Sequence, residues 1–188
     1  MIDLLHRFII PAAYSILPPV MASDRATAML LAIALQESYL EGVMHRKQIK
    51  GPARSFWMFE RSGGIAGVLA HPSSREPISR ALGALRYRPS GDECYTAIAH
   101  NDVLAACFAR CLLWTLPGAL TSPLDVDGAW HQYVELWKPG AAKPGDRRAA
   151  DTRARWNPNY KQAWSLVAAA QRSAESMPNR LDDDVGGT

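Results

Sequence analysis

Residues 23–60 read SDRATAMLLAIALQESYLEGVMHRKQIKGPARSFWMFE, and this stretch decides the fold. Its first half predicts an α-helix, because Ser23 can cap the free N–H groups of the first turn and Asp24 complements the positive end of the helix. Neither Gly nor Pro occurs between Ser23 and Gly42, and the good helix formers Ala, Leu, Met and Gln dominate the segment. We therefore expect a helical protein organised around this segment.

One face of the predicted helix is apolar, and a carboxylate falls inside it. At about 100° per residue the face contains Ala26, Met29, Leu30, Ile33, Ala34 and Leu40. Glu37 falls among them. Burial disfavours the charged form of a carboxyl group, so Glu37 is expected to keep its proton to a higher pH than usual, as a general acid must. The alternative is a partly buried Glu that pairs with Arg25, Arg46 or Lys47 and serves packing alone.

The second half of the stretch combines an irregular turn with aromatic side chains. Gly51-Pro52 marks the turn, and Phe56-Trp57-Met58-Phe59 follows it. Aromatic faces beside a polar turn suit a sugar ring, which has an apolar C–H face and a polar rim. The pattern therefore favours a carbohydrate-binding cleft next to Glu37.

These residues resemble the lysozyme superfamily, in particular the soluble lytic transglycosylases and related phage-encoded lysozyme-like domains. Members carry a catalytic Glu-Ser at the end of a helix and a Gly-Ala-x-Gly-Leu-Met-Gln stretch further on. Glu37-Ser38 matches the first motif, and Gly51 to Met58 matches the second with one extra residue after Gly51. The chain departs from the family at Ser55, which is usually Gly, and at Met58, which is usually a substrate-binding Gln.

The resemblance implies which residues form the site. Glu37 would be the catalytic acid, and the substrate-binding positions would be Ser38, Ser55, Phe56, Trp57 and Met58. Residues 129–133, Ala-Trp-His-Gln-Tyr, loosely match an Ala-Tyr-Asn segment of the family without its Asn, and this match adds Tyr133. The alternative for Tyr133 is a core position, since aromatic residues at helical spacing mostly pack inward.

The mechanism depends on a second carboxylate. An inverting glycosidase needs one about 6.5–9.5 Å from the acid, and a retaining one needs it at about 5–5.5 Å. Glu60 closes the aromatic motif and is the candidate for this catalytic role, whereas Glu41 is expected to be solvated. In the lytic transglycosylases one Glu performs both proton steps and the sugar's own 6-hydroxyl closes a 1,6-anhydro ring. With a single well-placed acid, the sequence favours this second route slightly.

Composition bounds the classes of function. The chain has 188 residues, of which 48% are hydrophobic and 21% charged, so it can form one globular domain, which we place at 1–176, followed by a polar tail at 177–188. The net charge of +3 suits an anionic glycan but is too small to indicate nucleic acid. No apolar run is long enough to span a membrane, and residues 8–20 make a poor signal peptide. We therefore expect synthesis in a bacterial cytoplasm, with incorporation into a phage virion as an open alternative.

No metal or cofactor is expected. Cys94, Cys107 and Cys111 form no disulfide framework and are interpreted as buried thiols. The five histidines show no metal-ligand spacing with one another or with the cysteines.

The remaining elements are read from periodicity and from turn residues. We expect one or two short helices in residues 2–17, broken near Pro11, and later helices at 77–87, 102–114 and 126–137, with the last one starting at Asn157-Pro158. Residues 138–155 are predicted to form a surface loop. The fold class is therefore mostly α, a lysozyme-like single domain of about seven helices with little or no β. The expected function is cleavage of peptidoglycan, and the alternative is a non-catalytic protein of a phage particle that keeps the lysozyme-like fold.

Overall fold

A computed structural model describes residues 1–38, 51–140 and 145–176. Within these ranges the chain is mostly α-helical with one small hairpin, which confirms the predicted fold class at the level of mostly α with little β. Several predictions fall outside these ranges. They are the continuation of the Glu37 helix to Leu40, the solvated Glu41, the basic residues Arg46 and Lys47, and the tail at 177–188.

The helices and strands follow one another along the chain with short connections. The helices are α1 (Ile2–Leu4), α2 (Ile10–Ile16), α3 (Asp24–Ser38), α4 (Ala66–Ala70), α5 (Pro72–Ala84), α6 (Gly91–Ala97), α7 (Asp102–Leu113), α8 (Val126–Trp137) and α9 (Ala149–Glu175). Strands β1 (Ala53–Arg54) and β2 (Phe59–Glu60) pair antiparallel, with Ala53 opposite Glu60. A 3₁₀ turn, Pro19–Met21, precedes α3, and π-helical turns, Leu5–Ile9 and Arg61–Ile65, precede α2 and α4.

The predicted starts of three helices are confirmed by their capping hydrogen bonds. Ser23 Oγ accepts from the N–H of Ala26 at 3.1 Å. The side chain of Asn101 accepts from Leu104 N at 3.0 Å at the start of α7, and Asp125 caps α8 in the same way at 2.8 Å. These side chains satisfy N–H groups that have no partner within the helix.

Proline residues do not delimit the helices as the sequence predicted. The chain is not broken at Pro11, because the π-helical turn before α2 carries the helical path past the residue that lacks an N–H. Helix α5 begins at Pro72 and contains Pro77, and α9 contains Pro158. In each case the contacts of the surrounding helix outweigh the loss of one hydrogen bond.

Residues 149–155 were wrongly predicted as part of a loop. They form the first two turns of α9, which begins at Ala149 rather than at Asn157. The segment is rich in Ala and Arg, which favour helices, and Thr152 and Trp156 are buried against the rest of the protein. Tertiary packing therefore extends the helix upstream of Pro158.

One continuous core runs from Leu5 near the start of the chain to Val167 in α9. Helices α3 and α7 lie inside it, and every residue from Ala28 to Ala34 is buried. Cys94, Cys107 and Cys111 are free and buried, as the sequence indicated. Helix α3 packs chiefly against α9, so its C-terminal end, which carries Glu37, lies beside the first turns of α9. Among the described residues, no helix is long and apolar enough to cross a membrane.

Candidate active site

A cleft of about 820 Å³ lies at the C-terminal end of α3. The hairpin and the turn after it form one wall, and the end of α8 with the start of α9 forms the other. The polar and aromatic residues that line it include Gln36, Glu37, Glu60, Tyr133, Glu135, Trp137, Lys138, Arg148 and Arg155. This volume lies within the range of sites that bind small molecules or a few sugar units.

Glu37 is a partly buried carboxyl group in this cleft, and its proton is held unusually tightly. Burial is the main cause and raises the pKa of Glu37 to about 7. The hydroxyl group of Tyr133 donates a hydrogen bond to Glu37 Oε1 at 2.6 Å, and the positive charge of Arg155 acts in the same direction. Both contacts favour the carboxylate and therefore limit the rise in pKa. The group is half protonated near neutral pH, where a general acid needs to operate.

Tyr133 is presented to Glu37 by the aromatic side chains around it. Its ring is 1% exposed and stacks on Trp156 of α9, with the ring centroids 4.9 Å apart and the planes at 10°. Trp137 lies one turn further along α8 and contacts the same ring from the cleft side, at 6.5 Å between centroids. A ring held on two sides has little freedom, so the hydroxyl group has a defined place at the carboxyl group of Glu37.

Gln36 ties the end of α3 to α9. Its side chain is 2% exposed and donates from Nε2 to the carbonyl oxygen of Thr152 at 2.9 Å. Its Oε1 accepts from Asn159 Nδ2 at 2.8 Å. A buried amide that is bound at both ends fixes one helix relative to the other, because displacement would leave its polar atoms unpaired.

The hairpin holds its aromatic residues in the core through two residues with positive φ. Ser55 (φ 67°) and Met58 (φ 50°) adopt the left-handed conformation on either side of Phe56 and Trp57. Trp57 Nε1 donates to the carbonyl oxygen of Leu30 at 2.9 Å, and the carbonyl oxygen of Trp57 accepts from Trp137 Nε1 at 2.8 Å. The turn between the strands is thus fastened to both α3 and α8.

The structure divides the predicted site residues into two groups. Glu37, Glu60, Met58 and Tyr133 all line the cleft. The other four, Ser38, Ser55, Phe56 and Trp57, are buried and do not line it. Ser38 Oγ donates to the carbonyl oxygen of Ala34 at 2.6 Å, and Ser55 Oγ accepts from the N–H of Trp57 at 3.4 Å. These four side chains therefore make structural contacts at the base of the site.

Sequence reasoning missed the contribution of α9 to the cleft. Arg148, Thr152 and Arg155 line it, but they fell in the segment that we predicted to be a loop. Their spacing of four and then three residues is the signal that was available, because it places them on one face of a helix. Arg148 also pairs with Asp146 at 2.9 Å. The predicted loop is in fact part of the cleft wall.

Among the described residues, no group of three or more His, Cys, Asp or Glu side chains lies close enough together to hold a metal ion. Comparison of the chain with protein-family models, with curated proteins and with solved structures gave no match. The functional argument therefore rests on the geometry of the cleft and on the motif resemblance.

Proposed function

We propose that this protein cleaves the β-1,4 glycosidic bond of peptidoglycan, with Glu37 as the general acid. The observation that carries the proposal is the carboxyl group of Glu37, whose pKa burial raises to about 7 and which receives a hydrogen bond from Tyr133 in a cleft of about 820 Å³. A buried acid that is ready to give up a proton near neutral pH is the group that glycosidic bond cleavage requires.

The contacts of Glu37 support a defined proton transfer. The hydrogen bond from Tyr133 occupies Oε1, so the transferable proton is assigned to Oε2. Donation of this proton to the glycosidic oxygen breaks the C–O bond and leaves an oxocarbenium-like sugar and a carboxylate. Tyr133 and the positive charge of Arg155 then stabilise that carboxylate more than they stabilised the acid. These interactions strengthen along the reaction and so lower its barrier.

The second half of the reaction has two proposed routes. In the transglycosylase route, the Glu37 carboxylate takes the proton of the sugar's 6-hydroxyl while that oxygen bonds to C1, which gives a 1,6-anhydro sugar and restores the acid. In the hydrolase route, a second carboxylate assists a water molecule. Glu60 is exposed on the cleft wall, and Glu135 also lines the cleft. We favour the first route, because the transglycosylases that the motifs resemble use it.

The first test compares the digestion of purified peptidoglycan by the wild type and by Glu37→Gln, with the released sugars analysed by mass. We expect the substitution to lower the rate by about 10²-fold or more, because it removes the proton donor without changing the shape of the side chain. The wild-type rate should fall as the pH rises through about 7, where Glu37 loses its proton. Products with 1,6-anhydro ends would support the transglycosylase route, and reducing ends the hydrolase route.

Glu76→Gln is the matched control for this test, because Glu76 is exposed on α5 and does not line the cleft. It should digest peptidoglycan at the wild-type rate. Equal rates for wild type and Glu37→Gln would contradict the proposed role of Glu37.

The second candidate function is a non-catalytic protein of a phage particle. Met58 favours it, because the cleft wall there carries a thioether in place of the amide that would bind sugar in the family that the motifs resemble. An inactive wild type, folded as well as its variants, would support this candidate. In either case the proposed source is a phage, and the proposed partners are glycan strands and, in a virion, other structural proteins.

A further inference from the structure

Two independent contact paths lead from the end of α3 to α9 and return to the same place. Gln36 and Glu37 are neighbours in the chain. The side chain of Gln36 contacts α9 directly, through the carbonyl oxygen of Thr152 at 2.9 Å and Nδ2 of Asn159 at 2.8 Å. The side chain of Glu37 contacts α8, through the hydroxyl group of Tyr133 at 2.6 Å.

Trp156 connects these two paths. It lies on α9 between the two residues that Gln36 binds, four positions after Thr152 and three before Asn159, and its side chain is fully buried. Its ring stacks on that of Tyr133 at 4.9 Å and 10°, while its Nε1 donates to the carbonyl oxygen of Val126 at 3.2 Å. The position of Trp156 therefore determines where the Tyr133 ring can lie.

We propose that Gln36 is a positioning residue for the candidate acid: by fixing α9 it holds Trp156, and through Trp156 it keeps the Tyr133 hydroxyl on Glu37. This inference deepens the proposed function and rests on it for the effect on turnover. The geometric part, that the hydrogen bond between Tyr133 and Glu37 depends on Gln36, can be tested whether or not the protein is an enzyme.

The physical reason is the difference between polar and apolar contacts at a helix interface. Apolar side chains tolerate small shifts of one helix along another, because burial has no direction. A buried amide with two partners does not, since its hydrogen bonds weaken steeply with distance and angle. A displacement of α9 by about 1 Å moves Trp156 enough to lengthen a hydrogen bond of 2.6 Å beyond its useful range. An amide that serves stability alone would not be coupled to Tyr133.

The experiment is a double-mutant cycle read by ¹³C NMR titration of the Glu37 carboxyl group in the full-length protein, assigned with Glu37→Gln. In the wild-type background, Tyr133→Phe should raise the pKa of Glu37, because the lost hydrogen bond favoured the carboxylate. In a Gln36→Met background the same substitution should change the pKa by less than about half as much, because the hydrogen bond is already weakened. A change of the same size in both backgrounds would overturn the proposal.

Gln171→Met is the matched control background. Gln171 also joins α9 to α3, with its Nε2 donating to Asp24 at 2.6 Å, but it does so at the opposite end of α3 from Glu37. In this background Tyr133→Phe should have its full effect. Loss of the effect here as well would show that any loosening of the two helices suffices, and would also overturn the specific role of Gln36.

If Gln36→Met does not fold, Asn159→Leu takes its place, because it removes one of the two partners of Gln36 at a partly exposed position. With an active wild type, either variant should lower kcat about tenfold or more with KM nearly unchanged, since substrate contacts remain but the acid is misplaced. An inactive wild type with an intact coupling pattern would refute the proposed function alone. A lost coupling pattern in an active enzyme would refute the inference alone.

Discussion

At the scale of single residues, the behaviour of Glu37 follows from opposing effects of unequal size. Burial penalises its charged form, while the hydrogen bond from Tyr133 and the charge of Arg155 favour that form, and burial has the larger effect. The pKa of Glu37 therefore rises to about 7 from an ordinary value near 4.5. A residue that keeps such a mismatch between carboxyl group and surroundings is costly to the fold above neutral pH, which makes the cost measurable.

We predict that Glu37 makes the protein less stable as the pH rises. Because its pKa is higher in the folded state, the folded protein binds more protons than the unfolded chain between about pH 4.5 and 7, so this contribution to stability is complete below that window and lost above it. The difference corresponds to about 3 kcal/mol. Glu37→Gln should therefore exceed the wild type in stability at pH 8 by up to this amount, with the difference shrinking towards pH 4.5.

Urea unfolding of both proteins at pH 4.5, 6 and 8 measures this difference. Glu76→Gln accounts for the general effect of removing one negative charge from the chain. A stability difference between wild type and Glu37→Gln that does not change with pH would contradict the prediction.

At the scale of elements, the cleft wall depends on how closely the hairpin approaches the turn that follows it. A Cβ atom at Gly64 would overlap the ring of Phe59, whereas one at Gly63 would meet nothing within 4 Å. Phe59 cannot move aside easily, because its ring lies against Trp137 at 5.9 Å and Phe108 at 6.3 Å. Two adjacent glycines in one turn thus have different roles.

We predict that Gly64→Ala destabilises the protein by about 1–3 kcal/mol, the usual cost of forcing an extra methyl group into a packed site. Gly63→Ala, in the same turn, should be neutral or slightly stabilising, because alanine restricts the unfolded chain without a clash. Chemical unfolding of both variants beside the wild type measures the difference. Equal stabilities of the two variants would mean that Phe59 moves aside at little cost.

At the scale of the whole molecule, aromatic side chains connect parts that are distant in sequence. Neighbouring rings with centroids 4.9–6.5 Å apart run from the hairpin through α8 to α9, in the order Phe59, Trp137, Tyr133, Trp156, Tyr160 and Trp164. Trp57 adds a polar fastening, because its Nε1 binds α3 and its carbonyl oxygen binds Trp137. The cleft is therefore built on a rigid aromatic base.

We predict that Trp57→Phe lowers the free energy of unfolding by about 2–4 kcal/mol. The substitution leaves a cavity in the core and removes the donor that satisfies the carbonyl oxygen of Leu30. Trp114→Phe is the control, because Trp114 is only partly buried, and it should cost less. Urea unfolding of both variants by far-UV circular dichroism measures the costs, and a larger loss for Trp114→Phe would contradict this account of the core.

Local sequence by itself determined the helices with clear signals and the unusual place of Glu37. Ser23, Asn101 and Asp125 cap their helices as predicted, because a cap involves residues only three positions apart. The acid on an apolar stripe was visible for the same reason, since helical periodicity is a local property.

Tertiary structure alone decided what surrounds Glu37. Tyr133 is 96 positions away and reaches the acid through stacking on Trp156, which no local pattern encodes. The start of α9 was missed because burial of Trp156, rather than the position of Pro158, extends the helix. Phe56 and Trp57 follow a polar turn in the sequence, yet left-handed backbone at Ser55 and Met58 directs them into the core. The chain supplies the acid locally, but long-range packing determines its pKa and the cleft around it.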